Sequence, residues 1–501
     1  MLTRRTLGRQ LACVVLGSTL AAPALRRAAA QPAAAPLAAA PLAAAPLAAA
    51  PPRGRYLVKG GAVITVDPAL GTLPRADVLV NDGVIERVGP DLDAPGAEVI
   101  DAADCIVMPG LVDSHYHMWS ALGRNYIGDG GYEYFQAKNA TAPHYAPADF
   151  YNSVRLGLAE LANAGVTTVH NWCNNTRSPE HADAELRAHR DSLLRARFAY
   201  GHRDGLPRNE LINFADIDRV RREWFGDAPP FEGLVHLGVN LRGPGQSEEA
   251  VFFREIGLVR ERGLPFATHA GQAGPNRIKA ADYERRGFLG PDFLLCHYIV
   301  GSPEDFAVLA RTNTPLSFST HSEFRLGADG DPRAALMAMR KAGVTLTLSF
   351  DAASLTPPNM FELMRVTWAM SVPWKGTPSE GQAPLGHRET IAMATINGAR
   401  ALGLGEVTGS LTPGKRADLL VVRADALNTA PIGQIETTIV QSATPANVDT
   451  VLADGRILKR GGRLVAFDTE TIVRDAKASS LRVRQQTGGV LAPPNCPGCG
   501  G

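Results

Sequence analysis

The sequence has no excess of charge of either sign and has few cysteines. Its 501 residues include 51 lysines and arginines against 50 aspartates and glutamates, which gives a formal net charge of +1. Such a balance argues against a nucleic-acid partner or an acidic one. The six cysteines are widely spread and do not have the spacing of a disulfide framework. The 45% hydrophobic content is that of an ordinary globular protein.

The sequence also lacks an apolar run long enough to cross a bilayer. The apolar stretch after Arg4 and Arg5 has about 14 residues, whereas ~20 are needed, so an uncleaved membrane anchor is the weaker interpretation. The order Thr-Arg-Arg-x-Leu, the apolar stretch and the small residues near Ala30 resemble a twin-arginine export signal. We therefore expect residues 1–30 to address the protein to the bacterial export machinery for folded proteins. The mature protein would be periplasmic or extracellular, without a stable membrane span.

The mature chain begins with a segment that has little apolar surface to bury. Residues 31–54 contain the repeat "PLAAAPLAAAPLAAAPP", which predicts a semi-rigid spacer because proline at every fifth position interrupts a helix. Short β-branched runs separated by Gly, Asp and Asn fill residues 55–106 and return in residues 405–468. We predict that these two segments form one small β-sandwich domain, and that residues 469–501 form a C-terminal helix and a flexible tail.

Between the two β-rich ends, strand-like and helix-like segments alternate eight times over residues 107–404. Each strand candidate is short and largely apolar, as expected for a strand buried on both faces. The candidates are "IVMPGLVDSHYH", "GVTTVHNWC", "RARFAYGH", "GLVHLGVNLRG", "LPFATHAG", "FLLCHYIV", "TPLSFSTH" and "VTLTLSFDAAS". Eight β-α units in series predict an α/β fold of the (β/α)8 or TIM-barrel type.

Several of these strands end in a side chain that can bind a metal ion, namely His115, His117, His269, His297 and Asp351. The carboxyl ends of barrel strands meet at one mouth, so these residues are predicted to converge. Residues two apart in a strand point to the same face, so His115 and His117 can bind one ion together. A lone histidine is more often a core residue, but coincidence at so many strand ends favours a metal site. Imidazole and carboxylate ligands at ~2.0–2.2 Å suit zinc, and iron(II) is the alternative.

The motifs "PGLVDSHYH", "ATHAG", "LLCHYIV", "LSFDAAS" and "GSLTPGKRADLLVV" resemble those of the amidohydrolase superfamily. The similar branch holds the cytosine and guanine deaminases and the triazine hydrolases. The resemblance implies that His115, His117, His269 and Asp351 ligate one metal ion. It also implies that Asp351 acts as the general base and that His297 orients or polarises the substrate. Relatives with two ions carry a bridging lysine on the fourth strand, and "GLVHLGVNLRG" has none, so a single ion is expected.

The expected activity is hydrolysis of a non-peptide C–N bond in a small cyclic or aromatic molecule. Deaminases of this branch carry a glutamate where this chain has Gln272, and an amide cannot deliver a proton. This departure favours an amide, carbamate or lactam substrate, with an ammonia-releasing deaminase as the alternative. Glu323 is a carboxylate that could compensate, or a solvated loop residue. His321 is a further candidate for substrate contact, and Trp119 and Trp172 would form an aromatic pocket wall unless they pack in the core.

Two further alternatives stay open at the level of sequence. A two-metal hydrolase on the same scaffold is one, and metal stoichiometry would distinguish it. A non-catalytic protein that captures a small solute is the other, although such a protein has no need to keep Asp351 and His297 together. Oligomeric state has no readable signal, and a homodimer is the default expectation.

Overall fold

The computed structural model describes residues 51–126, 134–271, 277–326, 330–373 and 383–487. The strands within these ranges are numbered in chain order. They are β1 (Arg55–Ile64), β2 (Thr72–Asn81), β3 (Val84–Gly89), β4 (Glu98–Asp101), β5 (Cys105–Pro109), β6 (Leu111–Tyr116), β7 (Val166–Cys173), β8 (Arg195–Tyr200), β9 (Val235–Leu241), β10 (Phe266–His269), β11 (Phe293–Cys296), β12 (Leu316–Phe318), β13 (Leu346–Leu348), β14 (Leu419–Arg423), β15 (Val448–Ala453), β16 (Arg456–Arg460) and β17 (Arg463–Leu464).

The α-helices alternate with the central strands and extend past the last one. They are α1 (Tyr134–Thr141), α2 (Pro147–Asn163), α3 (Pro179–Arg190), α4 (Phe214–Phe225), α5 (Glu249–Glu261), α6 (Ala280–Arg285), α7 (Pro303–Arg311), α8 (Thr320–Leu326), α9 (Pro332–Ala342), α10 (Met360–Ser371), α11 (His387–Met393), α12 (Ile396–Ala401), α13 (Ile435–Thr437) and α14 (Thr469–Gln486). Among the described residues, no helix is both long and apolar enough to cross a membrane.

The eight central strands form the predicted parallel barrel. β6 to β13 lie side by side in sequence order, each paired with the next, and they correspond one to one to the eight segments predicted from the sequence. β6 and β13 meet at the carboxyl end of the barrel. There the backbone N–H of Asp351 donates to the carbonyl of His115 at 2.8 Å, and the N–H of His117 donates to the carbonyl of Asp351 at 2.7 Å. The closure of the barrel therefore places Asp351 between two of the predicted metal ligands.

Helix α9 illustrates how local sequence builds one of these units. The carboxylate of Asp331 accepts hydrogen bonds from two backbone N–H groups of the first turn, a cap worth about 1 kcal/mol. Pro332 occupies the first helical position, and Leu336 and Met339 bury the inward stripe. Gly343 ends the helix in the left-handed region, with φ 81°, which glycine adopts without steric cost. The chain can therefore turn directly into β13.

The two β-rich ends pair in one nine-stranded mixed sheet beside the barrel, in the order β17-β16-β15-β14-β5-β1-β2-β3, with β4 on β1. The two ends of the chain join where β5 and β14 pair antiparallel, with Val107 opposite Val421. Gly110 connects β5 to the first barrel strand. A Cβ atom at Gly110 would lie 2.0 Å from the hydroxyl oxygen of Thr167, so only glycine lets the sheet and the barrel approach this closely.

The C-terminal helix α14 packs against α2 and against the segment that follows the first barrel strand. The amide of Asn152 donates to the hydroxyl of Ser479 at 3.0 Å, and the hydroxyls of Tyr126 and Ser480 are 3.1 Å apart. Arg482 forms an ion pair with the buried carboxylate of Asp149. These contacts fix the segment that leads from the barrel mouth. The predicted export signal, most of the predicted spacer and the predicted tail lie outside the described residues.

Candidate metal centre and active site

The five side chains predicted at the strand ends lie together at the mouth of the barrel. Nε2 of His115 is 3.3 Å from Nε2 of His269. Oδ1 of Asp351 is 3.4 Å from Nε2 of His115 and 3.3 Å from Nε2 of His117. The other carboxylate oxygen of Asp351, Oδ2, is 3.7 Å from Nε2 of His297. Nitrogen and oxygen atoms from the ends of four different strands, spread from His115 to Asp351 along the chain, therefore face one small volume.

These separations suit a divalent cation. The facing atoms of His115, His117, His269 and Asp351 are nitrogens and oxygens with lone pairs, and such atoms repel one another unless a positive charge lies among them. Two ligands at ~2.0–2.1 Å from a tetrahedral ion are about 3.4 Å apart, which matches the observed 3.3–3.4 Å. His115, His117, His269 and Asp351 would hold the ion.

Burial sets the protonation states that such a site requires. It lowers the pKa of His115 to about 3 and lowers the pKa values of His117 and His269, so the three imidazoles are neutral. Burial alone would raise the pKa of Asp351, but the hydrogen bond with His115 and the charge of His297 lower it overall. Neutral imidazoles and an ionised carboxylate are the forms that bind a divalent ion.

His297 has the opposite electrostatics from the other histidines. Its Nδ1 lies 2.9 Å from Oε1 of Glu323, a carboxylate whose side chain is 2% exposed. Burial acts to lower the pKa of His297, but the carboxylates of Glu323 and Asp351 raise it to about 9. The ring is therefore an imidazolium at neutral pH and can donate a hydrogen bond from Nε2. Glu323 is therefore not a solvated loop residue. It is buried and accepts a hydrogen bond from Nδ1 of His297, the ring nitrogen that does not face Asp351.

The backbone is strained at the two residues with predicted catalytic roles. His297 has φ 62° and Asp351 has φ 66°, and left-handed conformations cost about 1–3 kcal/mol for residues other than glycine. His297 comes directly after β11, and Asp351 comes three residues after the last residue of β13. At these two positions the strained backbone presents a polar side chain to the mouth, and strain of this kind occurs at functional sites.

A cavity of about 360 Å³ opens above this cluster, a volume within the range of small-molecule sites. Trp172 stacks on His269, with ring centroids 4.2 Å apart and an interplanar angle of 23°. A charged pair lies on another part of the wall, where the ammonium of Lys138 donates to Asp204 at 2.8 Å. The apolar part of the lining comes mainly from Tyr134, Phe135, Ile299 and Leu326.

The structure places two of the predicted substrate-contact residues away from this cavity. His321 turns to Glu362, with Nε2 3.4 Å from Oε1, and does not line the cavity. The reason is that only one residue separates the end of β12 from the start of α8. His321 and Glu323 therefore lie two positions apart on a helix and point to nearly opposite sides, about 160° apart. The sequence predicts a loop for this segment, in which both side chains could face the substrate.

Trp119 belongs to the packing beneath the cavity instead of its wall. Its ring stacks on Phe150 with an interplanar angle of 14°, and its indole N–H donates to Oδ1 of Asn174 at 2.6 Å. Trp119 lines a separate small pocket of about 20 Å³. Of the remaining predicted contacts, Trp172 and Glu323 line the main cavity, and Gln272 lies outside the described residues.

Two polar elements of the site were not assigned a role from sequence. The Lys138–Asp204 pair combines a helix residue with a loop residue 66 positions away, and no local pattern links them. Asn174 follows β7 at the barrel mouth and bonds to His117. Its place at a strand end is the one signal in the sequence that could have identified it.

A (β/α)8 barrel whose mouth gathers three neutral histidines, an imidazolium and a carboxylate defines a metal-dependent hydrolase. The chain belongs to the amidohydrolase family: the model of that family matches residues 106–458. The protein is accordingly an enzyme that acts on carbon–nitrogen bonds other than peptide bonds. The family predicted from the motifs is confirmed.

Individual relatives agree in sequence and in fold. The chain is 27% identical over 444 residues to a 5′-deoxyadenosine deaminase of Methanosarcina acetivorans, covering 85% of this chain and 97% of that protein. An adenosine deaminase from Xanthomonas campestris, solved with bound zinc, superposes with a TM-score of 0.74 at 23% identity over 87% of this chain and 100% of the other. Atrazine chlorohydrolase from Arthrobacter aurescens TC1, also solved with zinc, gives 0.71 at 21% identity over 85% and 100%.

Proposed function

We propose that the protein is an aminohydrolase that replaces an amino group on a nitrogen heteroaromatic ring by a hydroxyl or oxo group and releases ammonia. The observation that carries this proposal is the His297–Glu323 pair beside Asp351. Deamination needs a group that accepts a proton from water and a group that donates hydrogen-bonding protons to the ring or the leaving nitrogen. Asp351 and the imidazolium of His297 provide these two functions at one end of one cavity.

A divalent ion, when bound, supplies Lewis acidity that lowers the pKa of a coordinated water to about 7. The chain's own residues account for the rest of the reaction. The carboxylate of Asp351 accepts the proton that the water loses as its oxygen bonds to the ring carbon. His297 donates a hydrogen bond from Nε2 to the ring heteroatom on which negative charge develops. Asp351 then passes the proton to the leaving nitrogen, which departs as ammonia.

The shape of the cavity supports a planar heterocycle as the substrate. A volume of about 360 Å³ accommodates a ring system with a substituent, and Tyr134 and Phe135 supply aromatic surface along the wall. Curated relatives at 25–29% identity are deaminases of 5′-deoxyadenosine or of methylthioadenosine and S-adenosylhomocysteine, and a structural relative acts on the triazine atrazine. Substrates with an amino-substituted purine or triazine ring are therefore the first to test.

Hydrolysis of a cyclic amide, a carbamate or a lactam is the second candidate. It is favoured by Gln272, because a neutral amide at that position cannot deliver a proton to a ring nitrogen. The same Asp351 and His297 would serve, and the nitrogen would stay on the opened product of a cyclic amide or lactam or leave as an amine from a carbamate. The two candidates differ in whether ammonia is formed.

The experiment is a substrate screen on purified, zinc-loaded protein with ammonia measured directly. The panel comprises adenosine, 5′-deoxyadenosine, 5′-methylthioadenosine, S-adenosylhomocysteine and melamine, with anilides, carbamates and lactams followed by mass spectrometry. Stoichiometric ammonia from an aminopurine or aminotriazine supports the proposal. Turnover restricted to amides, carbamates or lactams would establish the second candidate instead. The Asp351→Asn protein, loaded with the same metal, serves as the control for contaminating deaminases.

We propose one zinc ion per chain as the resident metal, with iron(II) as the alternative, because the two ions share imidazole and carboxylate ligands. Elemental analysis after purification without added metal tests both identity and number. We further propose export through the twin-arginine route. Replacing Arg4 and Arg5 by lysine in the full chain should leave the protein in the cytoplasm. A homodimer is the default expectation for the purified protein, and sedimentation tests it.

A further inference from the structure

Asn174 bonds to three side chains at the edge of the metal cluster without belonging to it. Its Oδ1 lies 2.6 Å from Nε1 of Trp119 and 2.8 Å from Nδ1 of His117. Its Nδ2 donates to Oδ1 of Asp204 at 3.1 Å. Asn174 is 5% exposed, so its amide is largely shielded from solvent. The arrangement ties one residue of the metal cluster to two others that come from different parts of the chain.

The bonds fix which atom of the amide faces His117. An indole nitrogen can only donate a hydrogen bond, and a carboxylate oxygen can only accept one. The amide must therefore turn its oxygen to Trp119 and its nitrogen to Asp204. The position of the Asp204 carboxylate is fixed in turn, because Lys138 donates to its other oxygen at 2.8 Å. The orientation of the Asn174 amide follows from chemistry at both ends.

This orientation decides the tautomer of His117. Nδ1 of His117 faces an oxygen that already accepts from Trp119, so Nδ1 must carry the hydrogen and donate it. In a neutral imidazole the other nitrogen, Nε2, then has a free lone pair. That nitrogen faces Oδ1 of Asp351 at 3.3 Å, in the volume where the donor atoms converge. A metal-binding histidine is commonly held by such a bond to its second nitrogen.

We propose that Asn174 is a positioning residue, which holds His117 in the tautomer and ring orientation that present Nε2 to the metal ion. Trp119 and Asp204 act through Asn174, by fixing its amide. The proposal rests on the metal site of the proposed function but is independent of the substrate. It assigns to Trp119 a role in metal binding in place of the substrate contact predicted from sequence.

The first test compares metal affinity in purified full-length variants. Asn174→Leu keeps the number and the branching of the side-chain heavy atoms and removes the acceptor. We expect zinc to bind about 10–100-fold more weakly, the usual effect of losing such a partner, as measured by competition with a chromophoric chelator at neutral pH. The absorption spectrum of the cobalt-loaded protein should change as well, because the geometry at His117 is altered. Unchanged affinity and an unchanged spectrum would overturn the proposal.

A matched control and a rescue separate positioning from general damage. Asn171 lies in β7, three residues before Asn174, and its amide bonds to Glu185 and His189 instead of to the residues of the metal cluster. Asn171→Leu also removes a buried amide but should leave zinc affinity unchanged. The double exchange Asn174→Asp with Asp204→Asn preserves the charge and every donor–acceptor pair, and should restore zinc affinity to near the original value. Equal losses in Asn171→Leu and Asn174→Leu, or no rescue, would count against the proposal.

A direct observation of the tautomer keeps the proposal testable if Asn174→Leu does not fold. Histidine nitrogen chemical shifts in the zinc-loaded, unmodified protein should show Nδ1 of His117 protonated, whereas a proton on Nε2 would refute the inference. Trp119→Phe retains a ring that can stack on Phe150 and removes only the N–H, so a smaller loss of zinc affinity is expected. Unmodified protein that holds no divalent ion would overturn the proposed function itself; unmodified protein that holds one while Asn174→Leu holds it equally well overturns only this inference.

Discussion

Two buried clusters of ionisable side chains lie at opposite ends of the barrel, and they are built on opposite principles. At the start of β8, Arg195 donates to Asp418 at 2.9 Å and lies 3.3 Å from Asp454, and Asp454 also pairs with Arg416 and Arg456. Every carboxylate there faces a guanidinium. The cluster joins the barrel to the nine-stranded sheet and is complete without any ligand.

The cluster at the mouth, in contrast, is not balanced by side chains of the protein alone. His115, His117, His269 and Asp351 direct lone pairs at one another, and their neutral rings supply no positive charge to that volume. Burial and charge alone therefore do not identify a functional site. The mouth has more electron-pair donors than its one cationic side chain, the imidazolium of His297 at 3.7 Å from Asp351, can balance, whereas the opposite end pairs each carboxylate with a guanidinium.

The largest expected effect is on turnover at the mouth. Asp351→Asn keeps the size of the side chain, and asparagine tolerates the left-handed backbone at φ 66°. Removing the proton acceptor should lower kcat by about 10²–10⁴-fold in protein whose metal content is matched to the unmodified enzyme. Activity within a few-fold of the original would show that Asp351 is not the general base.

At the opposite end of the barrel, an aspartate-to-asparagine substitution should lower the stability of the protein. Asp418→Asn leaves the buried guanidinium of Arg195 without its main partner, which costs about 3–5 kcal/mol in the free energy of unfolding measured with urea. Because a buried ion pair can be replaced as a unit, the double variant Arg195→Met with Asp418→Leu should lose less. Zinc affinity should not change in either variant, and a change would mean that the two clusters are coupled.

A third buried ionisable group, Glu185, predicts an effect of pH on the stability of the protein. Glu185 is fully buried in the layer outside the barrel strands, and Asn171 donates to one of its oxygens at 2.7 Å. Burial raises the pKa of Glu185 to about 7, although the bonds with Asn171 and Cys173 lower it, compared with 4.5 for the free side chain. The folded state therefore binds this proton more tightly than the unfolded chain.

The direction of the pH dependence follows from the difference between the pKa values of Glu185 in the folded and the unfolded chain. The contribution to stability is fully present below pH 4.5 and is lost as pH rises to about 7; the difference between these pKa values corresponds to about 3 kcal/mol. Glu185→Gln should remove this part of the pH dependence and should be more stable than the unmodified protein at pH 8. Parallel stability profiles of the two proteins from pH 5 to 8 would contradict the assignment.

The smallest expected effect comes from removing the metal. An ion that binds only the folded protein stabilises it by about 2.7 kcal/mol when its free concentration is 100 times Kd. Dialysis against a chelator should therefore lower Tm, and added zinc should restore it. Because the two clusters are far apart and share no partner, Asp418→Asn should show the same zinc-dependent increment as the unmodified protein.

The sequence predicted the scaffold and the metal-binding set because both depend on patterns along the strands. Short apolar runs mark the eight strands, and a barrel brings their carboxyl ends together whatever the length of the connections. His115 and His117 share a face by simple alternation. The same logic failed for His321, because the residues after β12 form a helix, whose periodicity sends His321 and Glu323 to different sides.

The amino-acid sequence by itself determined the order of β-α units, the pairing of the two β-rich ends and the candidate metal ligands. Only the tertiary structure decided the bonds that adjust those ligands: Asn174 against His117, Glu323 against His297 and Lys138 against Asp204. The physical reason is that periodicity fixes which face of an element a side chain occupies. Hydrogen-bond partners beyond a strand end depend instead on how distant segments pack, and on atoms placed to within a few tenths of an ångström.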